Sequence, residues 1–191
     1  MGGVERGGEY PVAEHHENLL SLASGHFVRE SFKTMSTTTK PIPDGYHSIT
    51  PLLCVRSAAE ASEFYQRAFG AREMFRVPLP NGKIMHAELR IGDSVVMLAD
   101  EMPERGAVSA QSVGASPTAL RIYVADVDQA FAQAIAAGAT QTMPVATQFW
   151  GDRIGQVRDP FGYLWLLATH VEDVSPAEYP GKIAAMMKPK Q

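Results

Sequence analysis

The chain has 191 residues, 45% of them hydrophobic and 20% charged, with a formal net charge of −4. Such a balance is ordinary for a globular domain and gives no electrostatic drive toward nucleic acid or an anionic membrane surface. No apolar run reaches the roughly 18–20 residues of a membrane helix, and the single cysteine, Cys54, excludes an internal disulfide or a multi-cysteine zinc site and suits a reducing, cytoplasmic setting.

Residues 1–40 read as a flexible extension, because Gly2-Gly3, Gly7-Gly8, His15-His16 and Thr37-Thr38-Thr39 are polar or permissive. Only Leu19 to Phe27 has helical potential, weak on its own, and no basic start leads into an apolar signal stretch. Met35, followed by Ser-Thr-Thr-Thr-Lys-Pro, is the expected natural start. The alternative is a regulatory or dimer-clasping arm.

From residue 41 the punctuation becomes regular. Ile49 to Val55 reads as a strand. Ala58 to Phe69 carries apolar side chains at helical spacing, with Gly70 at the C-cap position. Three strands follow: Met74 to Val77, Met85 to Ile91 and Ser94 to Ala99, with turns at Asn81-Gly82 and Gly92-Asp93. The order then returns. Thr118 to Val124 is a strand, Asp128 to Ala137 a helix ending at Gly138, and Gln141 to Val145, Gln148 to Val157 and Tyr163 to Thr169 are three more strands. Val55 and Val124 lie 69 residues apart, Gly70 and Gly138 68, and Met74 and Met143 69. Each half is too small to bury a good core alone, so the halves should pair. The boundaries are a globular part at 41–174, with module one at 45–100, a linker at 101–117 and module two at 118–170, then a tail at 175–191 holding at most one short helix.

Two βαβββ modules with these sequences resemble the vicinal oxygen chelate superfamily of glyoxalase I, bleomycin-resistance proteins and extradiol dioxygenases, and most closely its PhnB-like members. The resemblance rests on Ile49-Thr50-Pro51-Leu52-Leu53-Cys54-Val55, Phe64-Tyr65, Phe69-Gly70-Ala71 and His86-Ala87-Glu88-Leu89-Arg90-Ile91-Gly92-Asp93. It rests further on Met97-Leu98-Ala99-Asp100-Glu101, Phe149-Trp150-Gly151-Asp152-Arg153 and Asp159-Pro160-Phe161-Gly162. It implies an α+β fold in which each module curls a mixed sheet into a half-barrel with helices on the outer face. Two halves, from one chain or exchanged between chains, would enclose a cavity, and a homodimer is expected. The fold does not fix an activity.

Enzymes of that superfamily hold a metal at four equivalent points, on the first and last strand of each module. Carried over by the repeat, these points fall on Thr50, Met97, Ala119 and Leu166. None suits a hard or borderline divalent metal, which needs imidazole nitrogen or carboxylate oxygen. No cofactor is therefore expected, and a divalent metal only at a displaced site using His86 and Glu88, with His47 and His170 near other strand ends.

Alternation along Met85 to Ile91 turns His86, Glu88 and Arg90 away from the apolar face. By the same parity Thr50, Leu52, Cys54, Arg121 and Tyr123 face the cavity, and Gln148, Trp150 and Asp152 share one face of their segment. The expected ligand-binding set is Thr50, His86, Glu88, Arg121, Tyr123, Trp150, Asp152 and Trp165. Its aromatic wall and few charges suit a small, flat, partly polar compound. Glu88 with Arg121, and Asp152 with Arg153, could instead be structural ion pairs. His86 beside Glu88 is the candidate acid–base pair, catalytic if the chain is an enzyme; the bland reading is a cavity histidine satisfied by a hydrogen bond. Cys54 reads as a small buried hydrophobe before a nucleophile. Three functions follow: a non-metal small-molecule binder conferring sequestration or tolerance, a glyoxalase-like lyase/isomerase or thiol transferase, and an interaction module with a vestigial cavity. Neither nucleic acid nor membrane is an expected partner.

Overall fold

Ala58, Ala61, Phe64, Tyr65 and Ala68 recur at helical spacing, and all five are buried. The helix they form opens at Ser57, whose hydroxyl accepts the Glu60 N–H, and closes at Gly70 in the left-handed conformation (φ 64°). Its repeat opens at Asp126, which accepts from Gln129 N–H, and closes at Gly138 (φ 113°). In the computed structural model, which describes residues 39–187, these helices carry two four-stranded sheets. All of these residues but Thr39 belong to one compact unit starting at Lys40. The Leu19–Phe27 stretch and the Met35 start lie outside the described residues.

The order is β1 (Leu52–Val55), α1 (Ala58–Phe69), β2 (Arg72–Pro78), β3 (Ile84–Ile91), β4 (Ser94–Asp100), α2 (Ala110–Val113), β5 (Ala119–Tyr123), α3 (Val127–Ala137), β6 (Thr140–Thr147), β7 (Asp152–Arg158), β8 (Leu164–His170) and α4 (Tyr179–Met186). The sheets run β1-β4-β3-β2 and β5-β8-β7-β6 and are not closed into a barrel. β1 pairs parallel with β4, and β5 with β8; the other pairs are antiparallel. Leu52, Met97, Glu88 and Phe75 form one row across the first sheet. Arg121, Leu166, Gln156 and Met143 form the matching row of the second. The α+β duplication read from spacing is thus present down to register.

The differences lie at strand starts. The first strand begins at Leu52 and not Ile49, because Pro51 has no N–H to offer and contributes only its carbonyl, which accepts Met97 N–H at 2.8 Å. Residues 148–151 form a turn, closed by Gly151 N–H to the Gln148 carbonyl (3.1 Å), so that strand begins at Asp152. The 101–117 linker is ordered through Glu101, whose carboxylate accepts Ser109 N–H (3.1 Å) and the Ser112 hydroxyl (2.7 Å). Those hydrogen bonds hold the Glu101 pKa at about 2.

One core serves both modules. α1 and α3 pack on each other and on the helix-side faces of their sheets. Tyr65 stacks on Phe69, and Phe69 lies 4.7 Å from the Trp165 ring of the other module. Each large side chain fully buried there contributes about 1.5–3 kcal/mol. At its centre Asp159, from the Asp-Pro-Phe-Gly turn, accepts Tyr65 O–H (2.7 Å), Trp165 Nε1–H (2.8 Å) and the N–H groups of Phe161 and Tyr163. Burial raises its pKa, against those four hydrogen bonds. The opposite faces of the sheets turn away from this core.

Candidate ligand site

On the outer face of module one, β3 presents His86 and Glu88, two residues apart on one side of a strand. Glu88 is 4% exposed. Its Oε1 meets His86 Nε2 at 3.1 Å, and its Oε2 accepts the phenol of Tyr46. That bond is the first cause pushing the Tyr46 pKa up. Tyr46 sits on residues 40–48, which precede β1 without joining the sheet and pass over Thr50, Glu88 and Met97. Between strap and sheet lies an open hollow of about 370 Å3.

On the outer face of module two the centre is Asp152, also 4% exposed. It accepts His170 Nδ1 (2.9 Å), Tyr123 O–H (3.0 Å) and Trp150 Nε1–H (3.1 Å), and Arg121 stands 3.5 Å away. Burial works to raise the Asp152 pKa, but the hydrogen bonds from His170, Tyr123 and Trp150 outweigh it and hold it low. Hydrogen bonds to Asp173 and Asp152 raise the His170 pKa. Arg121 also donates to the Tyr123 hydroxyl (3.3 Å).

The sequence-derived set therefore divides between two faces. Arg121, Tyr123, Trp150 and Asp152 come together on module two; Thr50, His86 and Glu88 come together on module one. Glu88 does not meet Arg121, because each carboxylate finds its partners within its own module. Nor does Asp152 meet Arg153: the next residue on a strand points to the other face, where Arg153 forms a two-pronged pair with Asp128 at the start of α3 (2.7 and 2.8 Å). Trp165 reaches the site from the core side. It is 1% exposed, has the opposite parity to Leu166, and packs on Tyr65 and Phe69. From that core position it lines, with Arg121 and Tyr123, a cleft of about 550 Å3 whose other side is Ile91 to Val96 of module one.

Cys54 is half-buried, and its thiol pKa is raised by burial, then by Glu101 and Asp100. That is the reverse of an activated nucleophile. Tyr46 is the partner that sequence reasoning missed, because it lies in a strap without periodicity; His170 was noted at a strand end, but beside His86 and Glu88 and not beside Asp152.

The four positions to which the resemblance carries the superfamily's metal ligands bear one hydroxyl (Thr50), one thioether (Met97) and two hydrocarbons (Ala119 and Leu166). The Thr50 hydroxyl is itself donated to the His47 carbonyl (3.2 Å). This donor set does not fit a divalent metal of the superfamily kind. Among the described residues no group of three or more His, Cys, Asp or Glu side chains is arranged to hold one, and no helix is long and apolar enough to cross a membrane.

The family model of the Glyoxalase/Bleomycin resistance protein/Dioxygenase superfamily matches residues 45–167. The chain belongs to that superfamily. Uncharacterized protein Rv0887c of Mycobacterium tuberculosis is 40% identical over 154 residues, covering 79% of this chain and 87% of that one. Among solved structures, TioX from Micromonospora sp. ML1 is 30% identical with a TM-score of 0.54, covering 64% of this chain and 98% of TioX. The PhnB protein from Bacillus cereus shares the fold at 19% identity and a TM-score of 0.52, covering 64% of this chain and 99% of that one. Superfamily membership agrees with the resemblance carried by the sequence motifs.

Proposed function

We propose that this chain is a metal-independent small-molecule binding protein of the cytoplasm, which sequesters or confers tolerance to a small, partly aromatic, polar compound. The observation that carries the reading is the Thr50, Met97, Ala119 and Leu166 set. Where the superfamily's enzymes place metal ligands, this chain places a hydroxyl already engaged with a backbone carbonyl, a thioether and two hydrocarbons. Beside them, buried carboxylates surrounded by Tyr46, Tyr123, Trp150 and Arg121 supply orientation. Each outer face is only half of an enclosure, so the working form is a homodimer in which one copy's module covers another's.

The test joins metal analysis of the purified full chain with a thermal-shift screen of hydroxylated and heteroaromatic compounds. The expected result is substoichiometric Zn, Ni, Mn and Fe, together with a compound that raises the melting temperature. At a hundredfold excess over its Kd such a compound adds about 2.7 kcal/mol, roughly 5–10 °C for a chain of this size. Stoichiometric metal that restores turnover would overthrow the proposal. A second reading is supported by the contact of His86 with Glu88: a glyoxalase-like lyase/isomerase or thiol transferase using this acid–base pair or a displaced metal. Turnover lost in His86→Gln would favour it.

A further inference from the structure

The Glu88 site is occupied from within the chain, and its occupant describes its ligand. Glu88 lies mid-strand on β3, almost wholly removed from water, in the row that also contains Leu52, Met97 and Phe75. A buried carboxylate needs donors. One oxygen has His86; among the described residues the other is met only by Tyr46, which arrives on the strap.

That strap is held by a few single bonds, among them the Thr50 hydroxyl to the His47 carbonyl (3.2 Å) and an exposed Lys40–Asp44 pair within it (2.7 Å). Its own turn is closed by Tyr46 N–H to the Pro43 carbonyl (3.1 Å), and the guanidinium of Arg90 reaches the Gly45 carbonyl at 3.4 Å. It adds no strand to the sheet, and the hollow of about 370 Å3 separates it from Met97. By contrast, the phenol of Tyr65 is locked into the core by Asp159, with neighbours on every side. Tyr46 is thus a phenol presented to a buried acceptor on an exchangeable support.

We infer that Glu88 and its row form a recognition site for hydroxyaromatic compounds, in which the hydroxyl of the ligand replaces that of Tyr46 and the strap lifts to admit it. This names the ligand class for the binding reading above and rests on it. The polar requirement is one O–H donor aimed at Glu88. The apolar requirement is a flat ring against Met97 and Leu52, a thioether and a branched aliphatic, both suited to an aromatic face. The strap sets the apparent affinity, because ligand and Tyr46 compete for one oxygen.

The experiment uses the full chain and two probes of the same shape, 4-methylphenol and toluene. Tyr46→Gly empties the donor position. This variant is expected to bind 4-methylphenol about tenfold more tightly than toluene, and more tightly than the unsubstituted chain does. Adding Glu88→Leu removes the acceptor and should abolish the preference for the phenol. A measurement without substitution guards against misfolding: saturating 4-methylphenol should move the Tyr46 ring signals in NMR spectra of the unsubstituted chain to those of a solvated tyrosine. Equal binding of the two probes by Tyr46→Gly, or a phenol preference that survives Glu88→Leu, overturns the inference. So does a Tyr46 signal that stays in place at saturation. If the screen finds other ligands while these results appear, only the hydroxyaromatic assignment falls. If neither chain binds any compound, the binding reading falls with it.

Discussion

Glu88 and Gln156 occupy the same point of the duplicated sheet, each opposite the equivalent residue of the last strand, Met97 or Leu166. Glu88 is buried and reaches Tyr46 and His86, whereas the Gln156 amide oxygen accepts the Thr142 hydroxyl on a more open face. The second module has its carboxylate elsewhere, at Asp152 opposite His170, where the first has Ile84. The duplication kept hydrogen-bond register and let the polar chemistry move along it. Register is set by the backbone and by which face is apolar. A lone carboxylate needs only a position whose neighbours can donate to it.

The same division appears in packing. At equivalent sheet points module one has Ala87 and module two Gly155, while the equivalent helix positions carry Ser62 and Phe131. A Cβ at Gly155 would lie 2.6 Å from the Phe131 ring and 2.7 Å from Val145. A large helix residue has been accommodated by deleting a side chain beneath it.

The most damaging test removes what the modules share. Asp159→Ala strips the acceptor from Tyr65, Trp165 and two backbone N–H groups, and should cost about 3–5 kcal/mol in denaturant unfolding; a loss under 1 kcal/mol would mean the modules are held by apolar contact alone. Gly155→Ala should cost about 1–3 kcal/mol through overcrowding. Phe131→Leu should recover part of that loss in the double variant, whereas additivity would deny the compensation.

The smallest effect is a pH dependence confined to module two. The His170 pKa is raised in the folded chain, so its contribution is complete below the ordinary histidine value and is lost as pH rises through the raised one. Asp152 has its pKa lowered, so its contribution is lost as pH falls through that value. His170→Gln should therefore narrow toward the unsubstituted chain's stability as pH rises from 6 to 9. A gap that stays constant would separate His170 from the Asp152 cluster.

Much of the fold was legible because it is written in periodicity. Ala58 to Phe69 was bounded by Ser57 and Gly70, and alternation on β3 turned His86 and Glu88 away from the helix-packed face, toward the expected cavity. The partners were not legible, since they depend on what the chain brings from afar. Arg121 found Asp152 across 31 residues, and Tyr46 found Glu88 across 42. Asp159 showed only as a turn residue, although its side chain collects donors from both modules. Trp165 has core parity, yet it lines one cleft with Arg121 and Tyr123.

The two parallel ladders have a consequence for the order in which the chain assembles. Leu52 meets Met97, and Ala119 meets Leu164, each across 45 residues, whereas the neighbouring antiparallel strands close over short turns. Loop-closure entropy makes β1 and β5 late to dock, and as edge strands with one ladder each they are early to detach. Arg121 and Tyr123 ride on β5, and Leu52 on β1. One wall of each outer face therefore belongs to the last-joining piece of its module, and an occupant gripping that wall would act as a kinetic clasp on the strand.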